Sequence, residues 1–197
     1  PVYPPERVVK GIVVDARAQR FIAEDSYYAC IGHETAFARH GRAFLVTDAD
    51  CSYDPGEFRM PLLAEAASIE ELEGKGGFVA GTLAHTVASY NAAAARGEDP
   101  LLQKHPKFLA PLAKAPFRLY DLDVRRAFCC SHTFGGLETT VDGEVLDAFG
   151  GVIPGLYAAG RTTAGLPTAP YIASGISVGD CTFFGRRAGR HAAGGKA

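Results

Sequence analysis

The sequence predicts a mixed α/β fold, and three observations carry this prediction. Residues 8–15 (VVKGIVVD) and Ala43–Thr47 (AFLVT) are β-branched and apolar runs that predict strands. Two further segments, 68–73 and 82–96, have the capping and spacing signals of helices. Near the C-terminus a short strand ending in glycine precedes a glycine-rich helix at 174–191, an arrangement that places a ligand at the helix start in many α/β folds.

The first region is expected to run from residue 1 to residue 116. Residues 16–19 form the turn after the first strand, and residues 20–22 return as a second strand. Further along, Ser68 and Glu71 form a capping box that opens a helix, because the hydroxyl and the carboxylate can each satisfy an amide left over at the helix start.

The helix predicted at 82–96 presents one apolar face and ends at Gly97, a residue type that commonly follows a helix. The apolar residues near helical spacing are Leu83, Val87, Tyr90 and Ala94. Residues 98–116 are proline-rich and predict an irregular connection.

The second region is expected at residues 117–197. Residues 117–130 predict extended structure, and the dipeptide of Asp142 and Gly143 predicts a tight turn between two strands. Residues 155–160 (GLYAAG) predict a short buried strand that ends in glycine, with the long helix following it.

Composition and charge are typical of a soluble globular protein. The 197 residues are 47% hydrophobic and 21% charged, with a net charge of −2, which gives no reason to expect nucleic acid or an anionic membrane as a partner. No apolar run reaches the roughly 18–20 residues of a membrane helix. The five cysteines form no CxxC pair, so we expect a reduced, cytoplasmic compartment and no metal site.

The start of the last helix is the strongest candidate for a binding site. Gly160 ends the preceding strand and would let a ligand approach the backbone closely. The first amides of a helix have no partner inside it and carry partial positive charge, so they suit a phosphate, a carboxylate or another electron-rich group. The alternative interpretation is that a glycine-rich helix crosses a sheet and binds nothing.

Several segments, in the same order along most of the chain, resemble the superfamily of FAD-dependent fumarate reductases and 3-ketosteroid dehydrogenases. The segments are GIVVDARAQRFIAED, VASYN, GGLETT, VLD, IPGLYAAG and TFFGRRAG. The segments RTTAG and SVGDCTFFGRRAGR look most similar to those of the ketosteroid dehydrogenases, in particular the enzymes acting on the 4(5α) bond or the 1,2 bond.

This resemblance implies an α+β catalytic portion at 1–116 and the C-terminal part of a Rossmann-like FAD-binding domain at 117–197. It implies FAD as the cofactor, contacted by the end of the glycine-ended strand and by the helix start. The implied cofactor-binding residues are Gly160, Arg161, Ser174, Gly175, Ile176, Ser177 and Val178. The family's GxGxxG loop does not occur in the sequence, so the resemblance implies a partner, either an N-terminal half or a companion chain, that carries this loop.

The resemblance also assigns the reacting groups. The Tyr171 hydroxyl and the Gly175 amide would hydrogen-bond the substrate ketone and stabilise the developing enolate. Tyr27 or Tyr28 would exchange the α-proton, and the spacing does not choose between them. His132 resembles a substrate-contacting histidine of the fumarate reductases, and it would line the pocket or contact the flavin.

The expected activity is an oxidation or reduction of a C=C bond next to a ketone, most simply by a 3-oxosteroid dehydrogenase of steroid degradation. Fumarate-reducing members have an arginine where Tyr171 stands, which favours a ketone over a dicarboxylate. Arg161 lies close by in the sequence and keeps open a fumarate reductase-type enzyme acting on a small unsaturated acid. The third alternative is a non-catalytic accessory subunit.

Overall fold

The computed structural model describes residues 6–54, 60–127, 134–169, 171 and 173–194. The chain divides into two compact units, Pro1–Cys129 and Cys130–Ala197. The strands are β1 (Ile12–Asp15), β2 (Ala43–Thr47), β3 (Leu62–Ala66), β4 (Phe117–Asp121), β5 (Glu144–Leu146) and β6 (Val152–Tyr157). The helices are α1 (Tyr28–His33), α2 (Ile69–Gly76), α3 (Thr82–Ala94) and α4 (Ile176–Ala192), so the predicted mixed α/β class is confirmed.

The first unit is built around a four-stranded antiparallel sheet of order β1-β2-β4-β3. Strands β1 and β2 are buried along their length, as continuous apolar runs predict. Ile12, Val14 and Val46 belong to a core on one face of the sheet, to which α2 and α3 contribute Leu72 and Leu83. A second buried cluster contains Val13, Leu45 and Tyr120, the neighbours that alternate with the first set along the strands.

Helices α2 and α3 begin as their sequence signals predict. The Ser68 hydroxyl accepts a hydrogen bond from the Glu71 amide at 3.1 Å, and the Glu71 carboxylate accepts one from the Ala67 amide at 2.9 Å. The capping box is therefore present, with the carboxylate reaching one residue further back than in the usual pattern. In α3 the predicted apolar face is the buried one.

The first predicted strand pair is shorter than expected. Residues Glu6–Lys10 form a 3₁₀ turn, and β1 begins only at Ile12. The predicted returning strand at 20–22 is reduced to a single bridge between Val14 and Arg20. The Val13 amide donates instead to the Glu24 carboxylate at 3.0 Å. A side-chain oxygen therefore serves as the acceptor that the carbonyl of a paired strand would have provided.

The division of the chain also differs from the expected boundary at 116/117. Strand β4 begins at Phe117 and pairs with both β2 and β3, so it belongs to the sheet of the first unit. The expected boundary was placed at a change in composition, and composition does not show which distant strands a segment pairs with. The assignment of a catalytic role to residues 1–116 and an FAD-binding role to residues 117–197 remains a proposal.

The described part of the second unit contains the segment leading into β5, the β5–β6 hairpin, a connecting loop and α4. The predicted turn is present, with Gly143 at a φ of 81°, a backbone conformation that favours glycine. Helix α4 packs on the hairpin so closely that a Cβ on Gly143 would lie 2.5 Å from that of Ala188. The Tyr157 hydroxyl and the His191 ring join strand and helix at 3.1 Å.

The predicted buried strand at 155–160 is found only in part, because β6 ends at Tyr157 with Gly155 and Leu156 exposed, whereas Gly160 is buried in the turn that follows. Every residue of β6 before Tyr157 is exposed, with Val152 at 44% and Leu156 at 44%. An apolar strand is usually covered by another secondary-structure element, and α4 contacts only part of β6. Across the described residues, no helix combines the length and apolar character that crossing a bilayer requires.

Candidate active site

The site is built where the chain leaves β6. Gly160 begins a 3₁₀ turn, Gly160–Thr162, at a φ of 72°. A Cβ at this position would lie 2.6 Å from the Cys181 sulfur on α4. The close approach expected at Gly160 is therefore one that α4 itself makes, and it brings Arg161 against the helix.

A buried carboxylate on α4 holds the following loop. Asp180 is 2% exposed, and its Oδ1 accepts a hydrogen bond from the Leu166 amide at 3.2 Å. The Thr163 hydroxyl donates to the Gly160 carbonyl at 2.8 Å and closes the turn. The Asp180 bond ties the loop to the first half of the helix.

Tyr171 contacts the first turn of α4. Its hydroxyl lies 3.1 Å from the Ser177 hydroxyl and accepts a hydrogen bond from the Ser177 amide at 3.3 Å. The Arg161 guanidinium donates to the same Ser177 hydroxyl at 2.8 Å. The Phe134 ring stacks on that of Tyr171, with centroids 5.7 Å apart and planes 13° apart.

These contacts change the acidity of the phenol. The Ser177 hydroxyl, then the Ser177 amide and the positive charge of Arg161, lower the pKa of Tyr171 below its usual value. All three interactions favour negative charge on the phenolic oxygen. Such a group is a better hydrogen-bond donor to a carbonyl oxygen than an ordinary tyrosine.

The pocket beside this cluster is small. It encloses a volume of about 10 Å³ and is lined in part by Phe134, Arg161, Ser177 and Asp180. Such a volume holds about one water molecule, whereas sites for drug-sized ligands usually occupy about 300–1,000 Å³. This pocket alone is therefore too small to enclose a substrate.

The start of α4 is open in this chain. Its N-cap is Gly175, at a φ of 91°, and a glycine has no side chain with which to cap the helix amides. Ser174 and Val178 are exposed, and Ile176 is half-buried. Since the helix is 17 residues long, its first amides carry the full partial charge of a helix end.

Tyr27 and Tyr28 lie in the first unit, at the start of α1. Their hydroxyls are 2.9 Å apart and their ring centroids 4.3 Å apart. Just before them, the Asp25 carboxylate accepts a hydrogen bond from the His105 amide at 2.9 Å. The structure brings the two tyrosines together, whereas Tyr171 belongs to the second unit.

The remaining predicted site residue, His132, lies outside the described residues. No group of three or more metal-binding side chains occurs in the part of the chain that is described.

A buried ionic network in the first unit was not predicted from the sequence. The Arg20 guanidinium donates to both Glu24 oxygens and both Asp99 oxygens at 2.7–3.0 Å. The Lys104 ammonium donates to the Gly11 carbonyl at 2.7 Å and lies 3.3 Å from Glu24. Only the i, i+4 spacing of Arg20 and Glu24 could have indicated it, because Asp99 is 79 residues away from Arg20.

Comparison with known proteins identifies the family. Residues 9–178 match the family described as FAD binding domain. The chain is 38% identical over 135 residues to vinyl phenol reductase of Lactiplantibacillus plantarum, with 68% of this chain and 27% of the relative covered. It is 34% identical over 131 residues to a fumarate reductase (cytochrome) of Shewanella frigidimarina, with coverage of 66% and 21%.

A solved structure is similar over nearly the whole chain. It is the 3-ketosteroid-Δ4-(5α)-dehydrogenase of Rhodococcus jostii RHA1 in complex with 4-androstene-3,17-dione, with a TM-score of 0.84 and 42% identity. The match covers 98% of this chain and 40% of that protein. The resemblance found in the sequence is confirmed, and the chain spans about a fifth to two fifths of the length of these relatives.

Proposed function

Because the chain belongs to the FAD-binding domain family, we propose that it supplies the ketone-binding part of an oxidoreductase that introduces or reduces a C=C bond next to a ketone, with a 3-oxosteroid as the substrate. The observation that carries the proposal is the Tyr171 hydroxyl, held at the first turn of α4 by Ser177. The similar solved structure contains a 3-oxosteroid, which supports this substrate class.

FAD is the cofactor, and when bound it supplies the hydride acceptor or donor for the reaction. The residues of this chain fit such a group, because the start of α4 is exposed and its N-cap is a glycine. We propose that residues 174–178 at the start of α4, together with Gly160 and Arg161, hold the electron-rich edge of the cofactor.

In the proposed mechanism Tyr171 donates a hydrogen bond to the ketone oxygen, and the Gly175 amide adds a second donor. Both donors act on the oxygen where negative charge develops as the α-proton leaves. Tyr27 or Tyr28 takes that proton in the oxidative direction or returns it in the reductive one. His132 is proposed to line the same substrate pocket.

We also propose that polypeptide beyond these residues carries the GxGxxG loop and covers β6. The exposed apolar side chains of β6 support this, because a two-stranded hairpin is marginally stable by itself in water. The longer relatives have room for such a segment, either in the same polypeptide or in a companion chain. A cytoplasmic location and a role in steroid degradation belong to the same proposal.

The test uses the full-length protein loaded with FAD, under anaerobic conditions. A saturated 3-oxosteroid should bleach the flavin absorbance, and Tyr171→Phe should slow bleaching by about 10²–10³-fold, the typical effect of losing one donor to a developing oxyanion. Tyr157→Phe is the matched control, because that phenol bonds only His191 among the described residues, and it should leave the rate nearly unchanged.

The fumarate reductase-type alternative has one observation in its favour. Arg161 lies in the Tyr171 cluster, 2.8 Å from the Ser177 hydroxyl, where a guanidinium could bind a substrate carboxylate. That alternative requires fumarate to reoxidise the reduced flavin, Arg161→Gln to abolish this, and Tyr171→Phe to have little effect. If neither a ketone nor an unsaturated acid changes the redox state of a fully loaded flavin, the accessory-subunit alternative is favoured.

A further inference from the structure

We infer that Ser177 and Arg161 are positioning residues that set the direction in which Tyr171 donates its proton. The inference deepens the function proposed above and rests on it for the identity of the acceptor. It depends on the geometry of a four-residue cluster in the second unit, made of Phe134, Arg161, Tyr171 and Ser177.

The direction is fixed at one end of this set of contacts. A guanidinium has only donors, so the 2.8 Å contact between Arg161 and the Ser177 oxygen is a hydrogen bond from arginine to serine. The other close contact of the Ser177 hydroxyl is the Tyr171 oxygen at 3.1 Å, where either hydroxyl fits as the donor. In the proposed arrangement the single proton of the Ser177 hydroxyl is donated to Tyr171.

The Ser177 amide adds a second donor to the same phenolic oxygen, at 3.3 Å. With two hydrogen bonds accepted from Ser177, the proton of Tyr171 points away from the helix start and toward another acceptor. In the proposed reaction that acceptor is the ketone oxygen. If the proton moves fully to the enolate oxygen, the phenolate left behind keeps both Ser177 donors, so charge and protons balance.

The cluster also explains how Arg161 is kept in place. Its guanidinium carbon lies 5.8 Å from the centre of the Phe134 ring, within the range of a cation–π contact. Phe134 in turn stacks on Tyr171, which closes a loop of four contacts. Gly160, packed against Cys181, fixes the backbone from which Arg161 extends.

The charged groups around the phenol have opposite effects on it. Arg161 favours a negative charge on the Tyr171 oxygen, while the Asp180 carboxylate, which lines the same pocket, opposes it. Asp180 is held by the Leu166 amide, and Arg161 is held on Ser177. The positive group is therefore the one that the hydrogen bonds link to Tyr171.

The kinetic test uses the full-length enzyme loaded with FAD. Ser177→Ala should lower kcat for the 3-oxosteroid about tenfold, the equivalent of one hydrogen bond, with little change in KM. Ser177→Thr, which keeps a hydroxyl, should recover most of the rate. Thr182→Ala is the matched control, because that hydroxyl bonds only carbonyls of its own helix among the described contacts.

A second readout does not depend on turnover. With tyrosine labelled at Cζ by ¹³C, and with Tyr171→Phe to assign its signal, NMR gives the pKa of this phenol. The pKa should rise toward the usual tyrosine value of about 10 in Ser177→Ala, because a donor to the phenolate is lost, and should rise in Arg161→Gln for loss of charge. Thr182→Ala should leave it unchanged.

The two readouts separate this inference from the proposed function. If the pKa of Tyr171 and kcat are both unchanged in Ser177→Ala, the inference is overturned even where Tyr171→Phe is inactive. If no 3-oxosteroid bleaches the flavin but the pKa rises in Ser177→Ala, the substrate is wrong and the positioning of Tyr171 stands. A rate loss in Ser177→Ala that threonine does not recover, with no change in the pKa, would mean a structural role only.

Discussion

Replacing Asp99 by asparagine tests the buried ionic network of the first unit. The side chains of Arg20 and Asp99 are each only 3% exposed, and those of Glu24 and Lys104 are 2% and 0% exposed. Two positive and two negative charges therefore balance inside the protein. Asparagine fills nearly the same volume but removes one negative charge, which leaves a net positive charge in the interior.

The expected loss is large because the remaining cations cannot reach water. Breaking a buried ion pair by removing one partner typically costs about 3–5 kcal/mol of the free energy of unfolding. Burial already lowers the pKa of Lys104, so its folded form binds a proton less readily than the unfolded chain does. The deficit of Asp99→Asn should therefore shrink as the pH rises, when Lys104 loses its proton.

Amide hydrogen exchange of β1 and β2 in the full-length protein measures this loss, because it reports the opening of this unit without assuming that the whole protein unfolds in one step. The control is Glu98→Gln, whose carboxylate is 62% exposed and lies 3.5 Å from an exposed Arg96. It should change the opening free energy by less than about 0.5 kcal/mol. Equal, small effects of the two variants would refute the reasoning.

Three smaller changes test local features. Glu73→Gln should lose about 1–2 kcal/mol at pH 7, because the carboxylate caps three amides at the start of α3. Burial alone would raise the pKa of Glu73, but these hydrogen bonds outweigh it and lower the pKa. In thermal unfolding the difference should therefore begin to shrink as the pH falls below the usual glutamate value of about 4, and it should vanish below the lowered pKa of the folded protein. Gly175→Ala should lower the free energy of unfolding by about 1–2 kcal/mol, because alanine is strained at a φ of 91°. Gly179→Ala, inside the same helix, should instead stabilise the protein, and equal melting temperatures of the two variants would contradict this. Ser68→Ala should lose about 1 kcal/mol, and an unchanged melting temperature would show that the cap contributes nothing.

The features that sequence reasoning predicted correctly depend on neighbours along the chain. The strand at Ala43–Thr47, the cap at Ser68 and the turn at Gly143 each follow from residues within one or two turns of each other. The resemblance to known flavoenzymes is confirmed for the same reason, since its motifs are short and contiguous. The roles assigned through it to Tyr171, Gly175 and the tyrosine pair remain predictions.

The features that were missed depend on contacts between distant parts of the chain. Composition indicated a buried β6, but burial requires a covering element, which the described residues do not supply for most of the strand. The contacts of the Ser177 hydroxyl and amide with Tyr171 were also not predicted, and the role of Ser177 at the cofactor remains a prediction. Spacing along a helix does not reveal which side chain a loop will bring to it.

The sequence by itself determined strand β2, helices α2, α3 and α4, the glycine-ended approach to α4 and the superfamily, because these follow from local preferences and contiguous motifs. Only the tertiary structure decided that β4 completes the first sheet, that Arg20 meets Asp99, and that Arg161 reaches Ser177. Each of these contacts depends on how the chain folds back on itself, and the energy of a buried charge or a directed hydrogen bond exists only once that geometry has formed.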